Sequence, residues 1–111
     1  METLLVITHL PDQASAQRMA RTLVERRMAA CVNILAPCSS IYRWQGEVET
    51  ADEIPLLIKT TRERYAALEA AIREQHSYAV PEIIGVPISA GLPAYLRWVI
   101  ESTEPEAPHY A

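Results

Sequence analysis

Few side chains in this sequence are suited to chemistry. They are three histidines (His9, His76, His109), two cysteines (Cys31, Cys38) and one lysine, Lys59, set against nine arginines. Imidazole is the commonest ligand for borderline metals, so His76 is the first candidate metal ligand. It also stands where a helix should end, and there a cation meets the negative end of the helix dipole. One histidine makes no site by itself. His9 closes the first apolar run and can supply a second nitrogen if the end of that strand meets the end of the helix before His76. Its alternative is a loop histidine.

Lys59 is a compact point charge that an arginine does not mimic. With Tyr78 and Glu82 it defines a candidate pocket cation facing an anion; the plainer reading is an ion pair between strands. Tyr42 and Trp44 alternate with Arg43, so they share one strand face and either anchor a neighbouring subunit or line a pocket. Cys31 lies between apolar residues and reads as a small packing group. Cys38, beside Pro37 and two serines, reads as the more exposed thiol. On one continuous strand the two are too far apart to pair.

The elements that must position these groups follow from periodicity. Residues 3–9 (TLLVITH) are apolar on both alternating faces and predict an interior strand. Asp12 can cap a helix whose buried stripe is Ala16, Met19, Ala20, Leu23 and Val24. A second strand over 30–35 is interrupted at Ala36-Pro37 and resumes over 39–45. Gly46-Glu47 then predicts a type II′ hairpin. The return strand, about 48–60, carries Pro55, which must lie at an edge or past the end of a neighbouring strand.

Thr61 caps a second helix with Tyr65, Leu68 and Ile72 inside. A fourth strand covers 82–88. A short helix from Ala94 to about Ser102 should bury Trp98 and Val99, with Tyr95 or Leu96. The tail, 103–111, has no periodicity and is expected to be flexible, with His109 solvated. The domain is therefore 1–102. Its order is the split βαβ, ferredoxin-like βαββαβ pattern, an α+β sandwich with an extended hairpin and a C-terminal helix. Both helices fall on one sheet face. The other is apolar and short of cover, so a homo-oligomer is expected.

Composition narrows the function. At 111 residues, half of them hydrophobic and 22% charged, the chain fits one globular domain. A net charge of -4 argues against a nucleic-acid partner, which needs a basic footprint, and favours cation approach. The apolar runs are too short for membrane insertion. Two cysteines make no disulfide framework and no signal peptide is evident, so a cytoplasmic protein with free thiols is expected. The three glycines (Gly46, Gly85, Gly91) are scattered and form no phosphate loop. No nucleophile stands at a recognisable spacing from a base, so no enzyme is expected.

Five blocks occur in order: Ala29-Ala30-Cys31-Val32-Asn33-Ile34, residues 40–47 (SIYRWQGE), Ile58-Lys59-Thr60-Thr61, residues 76–83 (HSYAVPEI), and Tyr95-Leu96-Arg97-Trp98. Together they resemble the CutA family of divalent-cation tolerance proteins, over about residues 3–102. The resemblance implies a homotrimer of ferredoxin-like subunits, similar in architecture to PII signalling proteins, whose long hairpin pairs with neighbours. It also implies a role in the response to copper and other divalent metals, with Cu(II) or a related ion as the candidate ligand. A PII-like signalling or scaffold trimer, binding a small anion or a protein at the inter-subunit cleft, is the alternative. Some family members carry a cysteine late in the first strand and two adjacent histidines, proposed as copper ligands. Here those positions are Thr8, Gln75 and His76.

Overall fold

The computed structural model describes residues 1–105; His109 lies outside the described residues. The chain runs β1 (Thr3–Leu10), α1 (Gln13–Glu25), β2 (Cys31–Ile34), β3 (Cys38–Trp44), β4 (Glu47–Thr61), α2 (Arg62–Gln75), β5 (Ile83–Pro87) and α3 (Pro93–Ser102). The main sheet is antiparallel with strand order β2-β4-β1-β5, and β3 pairs with the outer half of β4. This is the expected ferredoxin-like α+β arrangement.

Alternation sorts each strand into two faces. Leu4, Val6, Thr8 and Leu10 of β1 are buried, as are Ile54, Leu56, Ile58 and Thr60 of β4. They meet Ala16, Met19 and Leu23 of α1 and Leu68, Ala71 and Ile72 of α2 in one core. Asp12 caps α1 as expected, its carboxylate accepting from the Ser15 amide at 2.8 Å. Thr61 holds the capping position of α2 but its side chain makes no capping bond. Its hydroxyl is buried instead, at the strand end. Gly85 leaves room for the Tyr65 ring beside β5, since a Cβ there would stand 3.2 Å from that ring.

β4 is unusually long because it serves two partners in turn. Its inner half pairs with β1 and β2, and its outer half, residues 47–53, pairs with β3. Pro55 sits at the handover. β2 ends opposite Leu56, so the amide that proline lacks would have fallen just past the end of the neighbouring strand. The Pro55 carbonyl still accepts from Leu35 at 3.0 Å.

The hairpin turn differs from expectation. The two linking residues are Gln45 and Gly46, and Trp44 pairs with Glu47. Both linking residues have positive φ, 49° and 83°, which defines type I′ rather than II′. That turn's twist matches the strands it joins.

The C-terminal helix corrects two further expectations. Only Val99 of α3 is buried, while Tyr95 and Trp98 stand exposed with their rings 5.5 Å apart. α3 lies against β4 and β1 and partly covers the helix-free face of the sheet. Thr103, assigned to the flexible tail by sequence, is buried and donates to the Val99 carbonyl at 2.9 Å. Arg27 donates to the carbonyls of Glu101 and Glu104, so ordered structure continues to at least Glu104.

Candidate functional site

The helix-free face continues from the main sheet onto the hairpin. On β3 it carries Ser40, Tyr42 and Trp44, and on β4 it carries Glu49 and Glu53. At the far end of β1 it carries His9. Residues 77–82, which follow α2, rise opposite this face. The space between is an open groove of about 760 Å³, lined among others by His9, Tyr42, Trp44, Glu49, Glu53, Tyr78 and Glu82. Four of the sequence-derived pocket residues, Tyr42, Trp44, Tyr78 and Glu82, and the metal candidate His9 therefore meet in one place.

His76 does not join them as a ligand. It is 9% exposed and caps α2, its amide donating to the Ile72 carbonyl at 2.9 Å. Its Nε2 lies 2.6 Å from the His9 carbonyl oxygen and its Nδ1 lies 3.2 Å from the Tyr78 amide nitrogen. The carbonyl can only accept and the amide can only donate. The ring is therefore the neutral Nε2–H tautomer, with its one lone pair already used. Both ring nitrogens are thus engaged within the chain, and the ring positions the groove wall. The Tyr78 ring packs on it, centroids 4.6 Å apart.

The end of β1 meets the end of α2 through the His9 backbone. The His9 imidazole has its own partner, with Nδ1 3.4 Å from Glu82 Oε2. Thr8, at the position where some family members carry a cysteine, points into the core. Its hydroxyl is fully buried with no hydrogen-bond partner. Among the described residues no three His, Cys, Asp or Glu side chains converge to hold a metal ion. One chain thus offers an imidazole and a carboxylate, which is short of the three or four protein ligands that hold a transition metal tightly.

Lys59 is also misplaced by the sequence reading. It pairs with Leu5, and Leu5 pairs with Val86. β1 therefore separates it from β5, and it stands at the opposite end of β1 from His9. Its ammonium donates to Asn33 Oδ1 and lies 4.0 Å from Cys31 Sγ. It does not face Tyr78 or Glu82. Both cysteines are free and half-buried.

Two groove residues escaped the sequence reading, Glu49 and Glu53. The signal for them was the register of the hairpin: with the turn at Gln45-Gly46, Tyr42 stands directly opposite Glu49. Their charge acts on the aromatic hydroxyls. Desolvation and then the Glu53 carboxylate push Tyr78 up to about 12, and desolvation with Glu49 and Glu53 raises Tyr42. Both phenols therefore stay protonated at neutral pH and can donate. Arrayed this way, the groove is an acidic, aromatic-walled trough. It suits a cation and opposes an anion.

Comparison with known proteins matches the chain to one family. Residues 4–102 match the family described as CutA1 divalent ion tolerance protein. The divalent-cation tolerance protein CutA of Thermus thermophilus is 46% identical over 103 residues, spanning 93% of this chain and 99% of that one. Its solved structure superposes with a TM-score of 0.90, at 43% identity, over 92% of this chain and 99% of that one. The structure titled periplasmic divalent cation tolerance protein CutA from Archaeoglobus fulgidus gives a TM-score of 0.89 at 35% identity, covering 92% and 99%. Mouse protein CutA is 42% identical over 94 residues, 85% of this chain but 53% of the mouse protein. The chain belongs to the CutA1 divalent ion tolerance family.

Proposed function

We propose that this protein is a homotrimeric divalent-cation tolerance protein that takes part in the response to metal ions. In this reading its groove binds Cu(II) or a related divalent ion weakly, and it acts by binding rather than by catalysis. The observation that carries the reading is the His9–Glu82 pair, 3.4 Å apart on the groove wall, with Glu53 on the same groove. Imidazole plus carboxylate suits borderline divalent metals. A pair of donors accounts for weak binding, and further donors would have to come from another copy of the chain. The names of its relatives point the same way.

The trimer is supported by the uncovered half of the helix-free face. Ile84 (48% exposed) and Val86 (44%) on β5, and Trp98 (44%) on α3, are large apolar side chains left uncovered in a single chain, and such exposure calls for a partner. A cytoplasmic setting is supported by the two free thiols. No helix among the described residues is long and apolar enough to cross a membrane. The PII-like, anion-binding alternative has less support, because the lysine it relied on stands outside the groove.

Calorimetry with Cu(II) and Zn(II) on the untagged protein tests the metal reading. His9→Ala and Glu82→Gln are each expected to weaken Cu(II) binding about tenfold or more. Affinity unchanged in both variants would sink it.

A further inference from the structure

The helix-free face carries charges of both signs that one chain leaves unmatched. Glu53 and Lys59 project on this face of β4, because an even number of residues separates them. Both are half-buried in a single chain. Lys59 is the single lysine or arginine among the strand residues of this face. Its ammonium meets two uncharged groups, Asn33 Oδ1 and Cys31 Sγ. Glu53 stands against the Tyr78 phenol. Among the described residues neither Lys59 nor Glu53 belongs to an ion pair. They cannot reach each other within one chain. Six residues of one extended strand separate them, about 20 Å, well beyond the Debye length of about 8 Å at physiological salt.

In the homotrimer proposed above, copies of the chain close this face and both charges lose water. A charge buried without a counter-charge is costly, and a buried pair with its hydrogen bonds satisfied offsets that cost. A ring of three joins each copy to the next through two different patches, so one patch must complement the other. This face has two such patches, a carboxylate at the base of the hairpin and an ammonium further down the same strand. The other carboxylates of the face fit the role less well. Glu47 and Glu49 are exposed toward the hairpin tip and can stay hydrated, and Glu82 already faces His9.

We propose that Lys59 of one copy enters the groove of the next and pairs with Glu53 there, so that each groove is completed by two chains. The inference rests on the homotrimer and names the contact that sets how neighbouring copies align. A groove that is acidic in one chain thus carries an ammonium in the assembly. The lone lysine acts outside its own groove because it serves the neighbouring one.

A double-mutant cycle on the untagged full chain tests the contact, with urea midpoints read at one chain concentration and mass read by light scattering. Lys59→Met and Glu53→Gln should each lower the midpoint by about 1 M. The double variant should lie no lower than either single one. Additive losses overturn the proposal, since they place the two groups in separate surroundings. Glu47→Gln with Lys59→Met should be additive. Coupling as strong there would mark a general effect of an acidic hairpin and rule out the specific pair. Glu53→Lys and Lys59→Glu should each lose the parent's mass, and the two reversals together should regain it. A combined variant that stays dissociated also defeats the proposal. The trimer is scored apart from the contact. A parent with the mass of one chain removes the trimer itself, whereas a parent of full mass without Lys59–Glu53 coupling removes the contact alone.

Discussion

His76 Nε2 hydrogen-bonds the backbone carbonyl of His9 at 2.6 Å, joining the end of α2 to the end of β1. The same ring accepts the Tyr78 amide on its other nitrogen. The end of β1, 67 residues away in sequence, and the start of the loop after α2 thus meet on one imidazole. The groove exists because this joint holds residues 77–82 opposite the hairpin.

Removing the joint should cost stability and groove geometry together. His76→Ala leaves a carbonyl and an amide without partners in a nearly closed environment, at about 1–3 kcal/mol for such groups, so a total loss of about 2–3 kcal/mol is expected. Urea unfolding measures this. Hydrogen exchange should show the Tyr78 amide losing protection while the amides of β1 and β4 keep theirs. Cu(II) affinity per folded chain should change little, since the ring has no lone pair to offer.

Much of this architecture was legible in the sequence because it rests on periodicity. The alternation of β1, the stripe of α1 and the breaks at Pro37 and Pro55 each reflect local physics. What escaped was set by register and by tertiary choice. Whether the turn is Gln45-Gly46 or Gly46-Glu47 depends on which pairing the strands prefer. Moving it by one residue slides the pairing by two, so the side-chain faces are preserved while Glu49 moves from opposite Trp44 to opposite Tyr42. Lys59 and Glu82 were read as one pocket or one ion pair between strands, and the sheet instead inserts β1 between β4 and β5. Trp98 has the spacing of a core residue, and its exposure in one chain reflects an apolar face that this chain does not itself cover.

Thr8 presents a second test. Its hydroxyl is buried in the core without a partner, flanked on neighbouring strands by Leu56 and Ile83. Valine has nearly the same shape and no polar group to desolvate. Thr8→Val should therefore raise stability by about 1 kcal/mol, read as a higher midpoint in urea at fixed protein concentration. A loss of stability would mean that the hydroxyl has a partner, such as a buried water.

Tyr78 sets an alkaline limit. Its folded-state pKa is raised from 10.0 to about 12, first by desolvation and then by Glu53. The folded chain therefore holds this proton more tightly than the unfolded chain does. The associated stability is fully present below pH 10 and falls as pH rises from 10 through about 12. Tyrosinate absorbance should show a late-titrating phenol that disappears in Tyr78→Phe. That variant should also lose stability less steeply over the same pH window, whereas an identical slope would place the high-pKa phenol elsewhere.

The apolar half of the helix-free face gives the sharpest test of assembly. Ile84 is 48% exposed in a single chain, and a glutamate at such a surface position ordinarily changes stability by no more than about 0.5 kcal/mol. If copies of the chain close over this face, the same carboxylate is buried against apolar neighbours and carries a cost of several kcal/mol per copy. Light scattering should find the parent protein near 37 kDa, three copies of a 12.4 kDa chain, and Ile84→Glu near the mass of one. Ala70→Glu, on the exposed face of α2, should keep the full mass. A parent protein that is monomeric at micromolar concentration would overturn the trimer. An Ile84→Glu variant that still assembles would place the interface on another surface.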